Sequence, residues 1–240
     1  MIAVEQPPSG APQSSFGTLY THHVTPRVYA ILAIAGAYGL DLNVIYIDPK
    51  KEESQAELLK VNPRGQVPTL VLNDGFVLTE CTAIATYITS QSDTTTLLGN
   101  NRRDYYQIQK WLSFANSDLL PAIGGMILPI MHLDNPMRKN RVDCWNAFTL
   151  DLKVLDAQLQ TTPYLAGQTA TLADYFTVGM MKFGVMVFHK LIKEQHPRVW
   201  EWFNGVYAEQ WFKDVAGDLP LLSLELPDFS TEELCGHFVV

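Results

Sequence analysis

"NPRGQVPTLVL", residues 62–72, sets a proline at the head of a run of strand-forming residues. Proline has no N–H to give to a sheet and is normally confined to an edge, a first strand position or a bulge. Pro68 therefore has two readings. It is a trans proline at an ordinary strand entry, or the Val67–Pro68 bond is cis. A cis X–Pro bond costs only about 0.5–1 kcal/mol over trans. It turns the backbone so that the N–H and C=O of Val67 face outward, where an extended peptide can pair with them as one more strand.

The neighbouring sequence gives that geometry a use. "LTECTAIATYI", residues 78–88, places Glu80 and Cys81 at the start of a helix. The free N–H groups and positive dipole end there suit a carboxylate. A strand-like pairing site beside a carboxylate site describes a receptor for a short anionic peptide such as glutathione.

Outward from this stretch the chain has two rhythms. Residues 1–15, "MIAVEQPPSGAPQSS", hold three prolines and no apolar h-region, and read as a disordered tail rather than a signal peptide. Over 16–92, "TLYTH" predicts a strand and "TPRVYAILAIAGAYG" a helix capped by Thr25, with Pro26 at its first position. "LNVIYI" predicts a strand, "EESQAELLKV" a short helix, and "VPTLVL-NDG-FVL" a hairpin before the helix that Cys81 opens. The order is βαβαββα, an α+β unit. A polar linker, 93–101, follows. From 102 to 225 apolar residues recur at helical spacing, so the second domain is all-α, and 226–240 is a C-terminal tail.

Composition narrows the function. The chain is 47% hydrophobic and 18% charged, and 17 basic against 25 acidic residues leave a net charge of −8. That sign excludes broad binding to nucleic acid or acidic membranes, so an anionic ligand needs a local basic pocket. "FTVGMMKFGVMVFHKLI" is broken by Lys182 and His189 and is too short to span a bilayer. Cys81, Cys144 and Cys235 lie far apart in no CxxC spacing, which argues against a metal site or disulfide framework and fits a cytoplasmic protein.

Together, "NPRGQVPTLVLNDGFVLTECTAIATYI" resembles the glutathione site of cytosolic glutathione transferases, whose usual form is N-P-x-G-Q-V-P followed by E-S-x-A-I. "TLADYFTVG" resembles the family's capping box, with Thr171 as cap and Asp174 reaching back to it. "GTLYTHHVTPR", "LLGNNRRDYYQIQKWLSFANSD" and "HPRVWEWFN" are similar to the transferase-like domain that opens elongation factor 1 gamma. That factor continues into a further large domain, with no counterpart expected in these 240 residues. The chain also resembles free-standing fungal transferases of secondary-metabolite clusters such as the pseurotin type.

The resemblance implies a thioredoxin-like N-terminal domain, an all-α C-terminal domain and glutathione as co-substrate. It further implies a homodimer and a hydrophobic electrophile as second substrate. Val67 would pair with the cysteinyl part of glutathione, Pro68 would hold the geometry and Gln66 would add a hydrogen bond. Glu80 and Cys81 would hold the γ-glutamyl end. The family usually has Ser where Cys81 stands, and a thiol is the weaker donor. Cys81 reads either as a mixed-disulfide partner or as a buried inert thiol. Lys51, rather than Lys50, is assigned to the glycine carboxylate, against the alternative of a solvated surface lysine.

Lowering a thiol from pKa about 8.5 to about 6.5 takes roughly 2.7 kcal/mol, and a helix terminus supplies only about 0.3–1 kcal/mol. Thr25 as hydroxyl donor and Arg27 as cation are the candidate activators, against the alternatives of a plain N-cap and a structural ion pair. Tyr20 is expected in the core, and His22 and His23 in solvated loop. The apolar "IGGMILPIMHL" and the interdomain cleft are expected to take the second substrate, with core packing as the alternative for these residues. Asp118 is a weaker candidate for reaching a partner subunit's glutathione. The competing function is a non-catalytic interaction module.

Overall fold

The computed structural model describes residues 15–23, 25–130, 140–224 and 228–229. The N-terminal tail expected over 1–15 therefore lies almost wholly outside the described residues, as does most of the tail from 226 onward. Two compact units emerge. The first takes the chain to Leu98 together with Glu209–Gly217, and the second takes Gly99–Ala208 and Asp218 onward.

In the first unit β1 (Gly17–Thr21) leads to a 3₁₀ turn (Pro26–Val28) and α1 (Tyr29–Ala37). Thr25 caps the turn, its hydroxyl accepting from the Arg27 N–H at 3.4 Å. β2 (Leu42–Tyr46), α2 (Glu52–Val61), β3 (Thr69–Leu72), β4 (Val77–Thr79) and α3 (Cys81–Thr89) follow. This is the expected βαβαββα order. The strands lie β2-β1-β3-β4, with β1 parallel to β2 and the other pairs antiparallel. The hairpin turns at Gly75, whose φ of +86° suits a residue without Cβ, while Asp74 Oδ1 accepts from the Phe76 N–H at 2.9 Å.

α1 buries Ala30, Ile31, Ala33, Ile34, Ala35 and Ala37, almost its whole circumference. Such a helix needs cover on more than one side. α3 supplies part of it, and α9 (Gln210–Ala216) supplies more. Here the structure departs from the reading of 102–225 as one helical domain: α9 is helical but groups with the first unit.

The second unit is all-α: α4 (Arg102–Phe114), a π-helical turn (Ala115–Leu119), α5 (Leu120–Ile130), α6 (Arg141–Leu159), α7 (Leu172–Gln195) and α8 (Pro197–Tyr207). α7 is its axis, buried along most of its length and packed against α4, α5 and α8. At Gly184 a Cβ would stand 2.9 Å from Ile123 Cδ1, so glycine there permits the close approach of α5. The capping box at the head of α7 is present: Asp174 accepts from the Thr171 N–H at 2.8 Å and from its hydroxyl at 3.1 Å. No described helix is long and apolar enough to cross a membrane.

Candidate functional site

Strand register gathers the candidate residues. Thr21 faces Tyr46, Tyr20 faces Thr69, and Thr69 faces Thr79. The C-terminal ends of β1, β2 and β4 and the start of β3 thus lie side by side at one end of the sheet. The segments that leave this end carry Thr25 and Arg27, Lys51, Gln66-Val67-Pro68, and Glu80-Cys81.

At its middle the Val67–Pro68 bond is cis. Among the described residues neither the N–H nor the C=O of Val67 has a hydrogen-bond partner. Its side chain packs beside the buried cluster of Tyr20, Ile47 and Leu58. Tyr20 is thus the core residue expected, and burial raises its phenol above the ordinary range.

One side chain that sequence reasoning did not assign holds this loop. Asn62, buried, donates from Nδ2 to the Gln66 carbonyl at 2.8 Å and to Thr69 Oγ1 at 3.0 Å, while its Oδ1 accepts from the Arg64 N–H at 3.1 Å. Thr69 Oγ1 adds a second bond to the same carbonyl at 2.9 Å. The main chain of residues 64–69 is thereby tied down on its inner side. The available signal was the Asn-Pro step, a turn initiator whose amide has two donors and an acceptor to place. The Gln66 side chain is exposed; its backbone carbonyl carries the local structure.

Glu80 has φ +68° and ψ 117°, the one non-glycine among the described residues with positive φ. Backbone of this kind costs about 1–3 kcal/mol and clusters at functional sites. The Glu80 carboxylate lies 3.9 Å from Arg64 Nη1, both groups largely exposed at 64% and 70%. This pair joins the two loops and was not foreseen.

Cys81, only 3% exposed, opens α3. Burial pushes its thiol up to about 11, against the pull of the nearby Arg27 guanidinium. At neutral pH it is a protonated, inaccessible group, which favours the inert reading over the mixed disulfide. The same electrostatics place Arg27 close to the head of α3.

Thr25 is buried, and its capping bond uses an oxygen lone pair, leaving the O–H to donate elsewhere. Lys51 is the N-cap residue of α2, with its ammonium 3.8 Å from Asp48 in an exposed pair. Among the described residues no ion pair or hydrogen bond brings it to the Val67 loop.

The remaining candidates are mixed. His22 Nδ1 lies 2.8 Å from the Ile47 carbonyl, so it is tethered, not solvated. His23 is exposed and stacks on Tyr46 at 3.9 Å. Asp118 is exposed in the π-helical turn. Ile123, Met126 and Ile127 are buried within their own unit, which is the core-packing alternative, and Met131-His132-Leu133 lie outside the described residues.

Known proteins show the same plan. The model of the glutathione S-transferase N-terminal domain matches residues 15–90, and that of the C-terminal domain matches 142–210. Glutathione S-transferase mdpJ of Emericella nidulans is 39% identical over 212 residues, covering 88% of this chain and 96% of that protein. Glutathione S-transferase psoE of Aspergillus fumigatus is 34% identical over 210 residues, 86% of each. The crystal structure of the GST-like domain of elongation factor 1-gamma from Saccharomyces cerevisiae superposes with a TM-score of 0.73 at 27% identity, covering 89% of this chain and 99% of that one. With both domain models matched and identity of this level across nearly its whole length, the chain belongs to the glutathione S-transferase family.

Proposed function

We propose that the protein binds glutathione at the sheet end built around Val67 and adds its thiolate to an electron-poor small molecule. The observation that carries the reading is the open backbone of Val67, held by Asn62 and set beside the head of α3. The cysteinyl part of the peptide pairs with Val67. The γ-glutamyl end meets Glu80, the backbone of Cys81 and the dipole end of α3. Four strands at about 4.8 Å spacing span roughly 14 Å from β2 to β4. An extended tripeptide covers roughly 10 Å of that. A lysine side chain closes the remainder, and Lys51 after β2 would supply that cation by leaving its exposed pair with Asp48. Gln66 adds a side-chain contact from the rim.

The sulfur then lies near Thr25 and Arg27. The Thr25 hydroxyl donates to the thiolate, and the Arg27 charge favours it. Attack on an activated carbon ends in a thioether. If the adduct rotates and expels the thiol, the outcome is cis/trans isomerisation of an alkene with glutathione regenerated. Likeness to fungal transferases favours a secondary-metabolite substrate, a cytoplasmic enzyme and a homodimer. Exposed Phe76 and Val77 at the hairpin give such a dimer apolar surface to cover.

One observation favours a second reading. Cys81 stands where the family usually has a hydroxyl, its thiol is protonated, and the fold is shared with an elongation-factor domain. A non-catalytic interaction module has these features too.

Titration calorimetry with glutathione to millimolar concentration tests the binding, and product analysis with an electron-poor aryl halide and an activated cis-alkene tests the chemistry. Saturable heat is expected, with one glutathione consumed per thioether or none per isomerised alkene. No saturation removes the glutathione reading. Saturation without product selects the interaction module.

A further inference from the structure

β1 leaves the sheet after Thr21, and the two residues that follow are both histidines. β1 runs parallel to β2 with Thr21 facing Tyr46, and the Ile47 N–H donates to the Thr21 carbonyl at 2.7 Å. In a parallel ladder the next rung would return from the His23 N–H to the Ile47 carbonyl. That rung is not made among the described residues. The His22 side chain takes its place, with Nδ1 2.8 Å from the Ile47 carbonyl oxygen. A carbonyl oxygen only accepts, so the ring nitrogen that faces it carries the proton.

His23 makes a second tie. Its ring stacks on Tyr46 at 3.9 Å, with 9° between the ring planes. Two consecutive side chains thus grip the end of β2, one at Tyr46 and one at Ile47. The backbone turns out of the sheet at this point while its side chains keep it fastened to the neighbouring strand.

What this grip holds is the approach to the 3₁₀ turn. Thr25 comes two positions after His23, within about 7 Å of extended chain, and Arg27 two positions later. The turn is fixed at its start by the Thr25 cap, and the histidines fix the chain that leads into it. The half-buried His22 and exposed His23 add little to the core. Their contribution is to geometry, and a reacting site depends on supports that lock the groups around it.

We propose that His22 is a positioning residue for thiolate formation. Through the Ile47 carbonyl it fixes the loop that sets Thr25 and Arg27 against the glutathione sulfur, and the His23–Tyr46 stack is its second support. This rests on the glutathione reading above. It divides the labour within the site: the Val67 loop and the head of α3 hold the peptide, and the histidine-held loop ionises its thiol.

The experiment titrates wild type, His22→Leu, His22→Asn and His23→Ala with glutathione by calorimetry. It then reads the ionised fraction of bound glutathione at neutral pH from ultraviolet thiolate absorbance. His22→Leu is expected to lower that fraction about tenfold while Kd changes by less than about twofold. An Asn amide nitrogen is bonded to Cγ, as Nδ1 is, so His22→Asn keeps a donor for the same carbonyl and should recover the fraction to within about threefold of wild type. His23→Ala, at an exposed ring, should lower it about threefold and carries the test should His22→Leu fold poorly. Wild type that never saturates overturns the glutathione reading and this proposal with it. Wild type that binds glutathione without ionising it overturns the positioning role alone. So does an ionised fraction that His22→Leu and His23→Ala leave unchanged, which is what a merely structural tie would give. Affinity lost in step with ionisation, or a loss that His22→Asn does not recover, overturns it as well.

Discussion

Two buried polar side chains organise the two units, and they do so to different ends. Asp174 at the head of α7 takes four hydrogen bonds: from the Leu165 N–H and Trp202 Nε1 at 2.9 Å each, and from the N–H and hydroxyl of Thr171. Burial raises its carboxyl above the usual range, and each of these donors pulls it back. Every polar group there is turned inward. Asn62 also satisfies its neighbours, yet the loop it secures leaves the Val67 backbone without a partner among the described residues. A buried polar group satisfied on all sides is a structural lock. One that fixes a loop whose next residue stays open is a scaffold for a ligand.

The sharpest way to break the comparison is Asp174→Ala. It strands the buried Leu165 and Thr171 N–H groups and the Trp202 indole, at about 1–3 kcal/mol for each unsatisfied donor. Urea unfolding should show a loss of at least about 3 kcal/mol, with no separate effect on glutathione affinity in whatever fraction folds.

Cys81 comes next. The folded chain keeps the thiol proton to about 11, whereas the unfolded chain releases it near 9.0. Between those values the unfolded state binds fewer protons, so stability falls as pH rises. The wild type should lose up to roughly 2–3 kcal/mol more than Cys81→Ser over pH 9–11, read from urea midpoints at each pH. The same variant should keep or improve glutathione affinity, because a hydroxyl is the better donor. Equal pH slopes, or activity lost at unchanged affinity, would mean the thiol ionises in the native protein.

Asn62→Asp sharpens the contrast from the other side. A carboxylate cannot donate to the Gln66 carbonyl, so stability should fall by about 1–2 kcal/mol and glutathione affinity about tenfold. A stability loss with unchanged affinity would make Asn62 a lock like Asp174.

Arg27→Ala should lower turnover at neutral pH by up to about tenfold, with partial recovery as pH rises and thiolate forms unaided. Rates from pH 6 to 9 for both proteins decide it. An unchanged profile removes Arg27 from the mechanism. The smallest effect belongs to Arg64→Ala, since an exposed pair at 3.9 Å contributes about 0–1 kcal/mol. A double-mutant cycle with Glu80→Gln should return a coupling in that range.

Much was legible without coordinates. Periods of two and 3.6 placed the strands and helices, because side-chain direction repeats locally. Thr25-Pro26 and Thr171 with Asp174 announced helix starts because caps act within four residues. "NPRGQVP" and "LTEC" marked the candidate site because proline and a helix head each carry their constraint in one or two positions. What these stretches shared was short range.

Tertiary structure decided the rest. Asn62 became a clamp only when the turn brought Gln66 and Thr69 to its amide, and Arg64 reached Glu80 only through the β3–β4 pairing. The Cys81 thiol is set by burial and by Arg27, fifty-four positions away in the chain. α9 reads as a helix from its own residues, yet its grouping with the first unit follows from the apolar circumference of α1. Beside the break in α7 at Phe188, the Met186 carbonyl meets the Leu222 N–H, thirty-six positions on. Each depends on groups distant in sequence meeting at contact distance. Local periodicity carries no information about such meetings, because their energy comes from burial and pairing that exist only once the chain has folded.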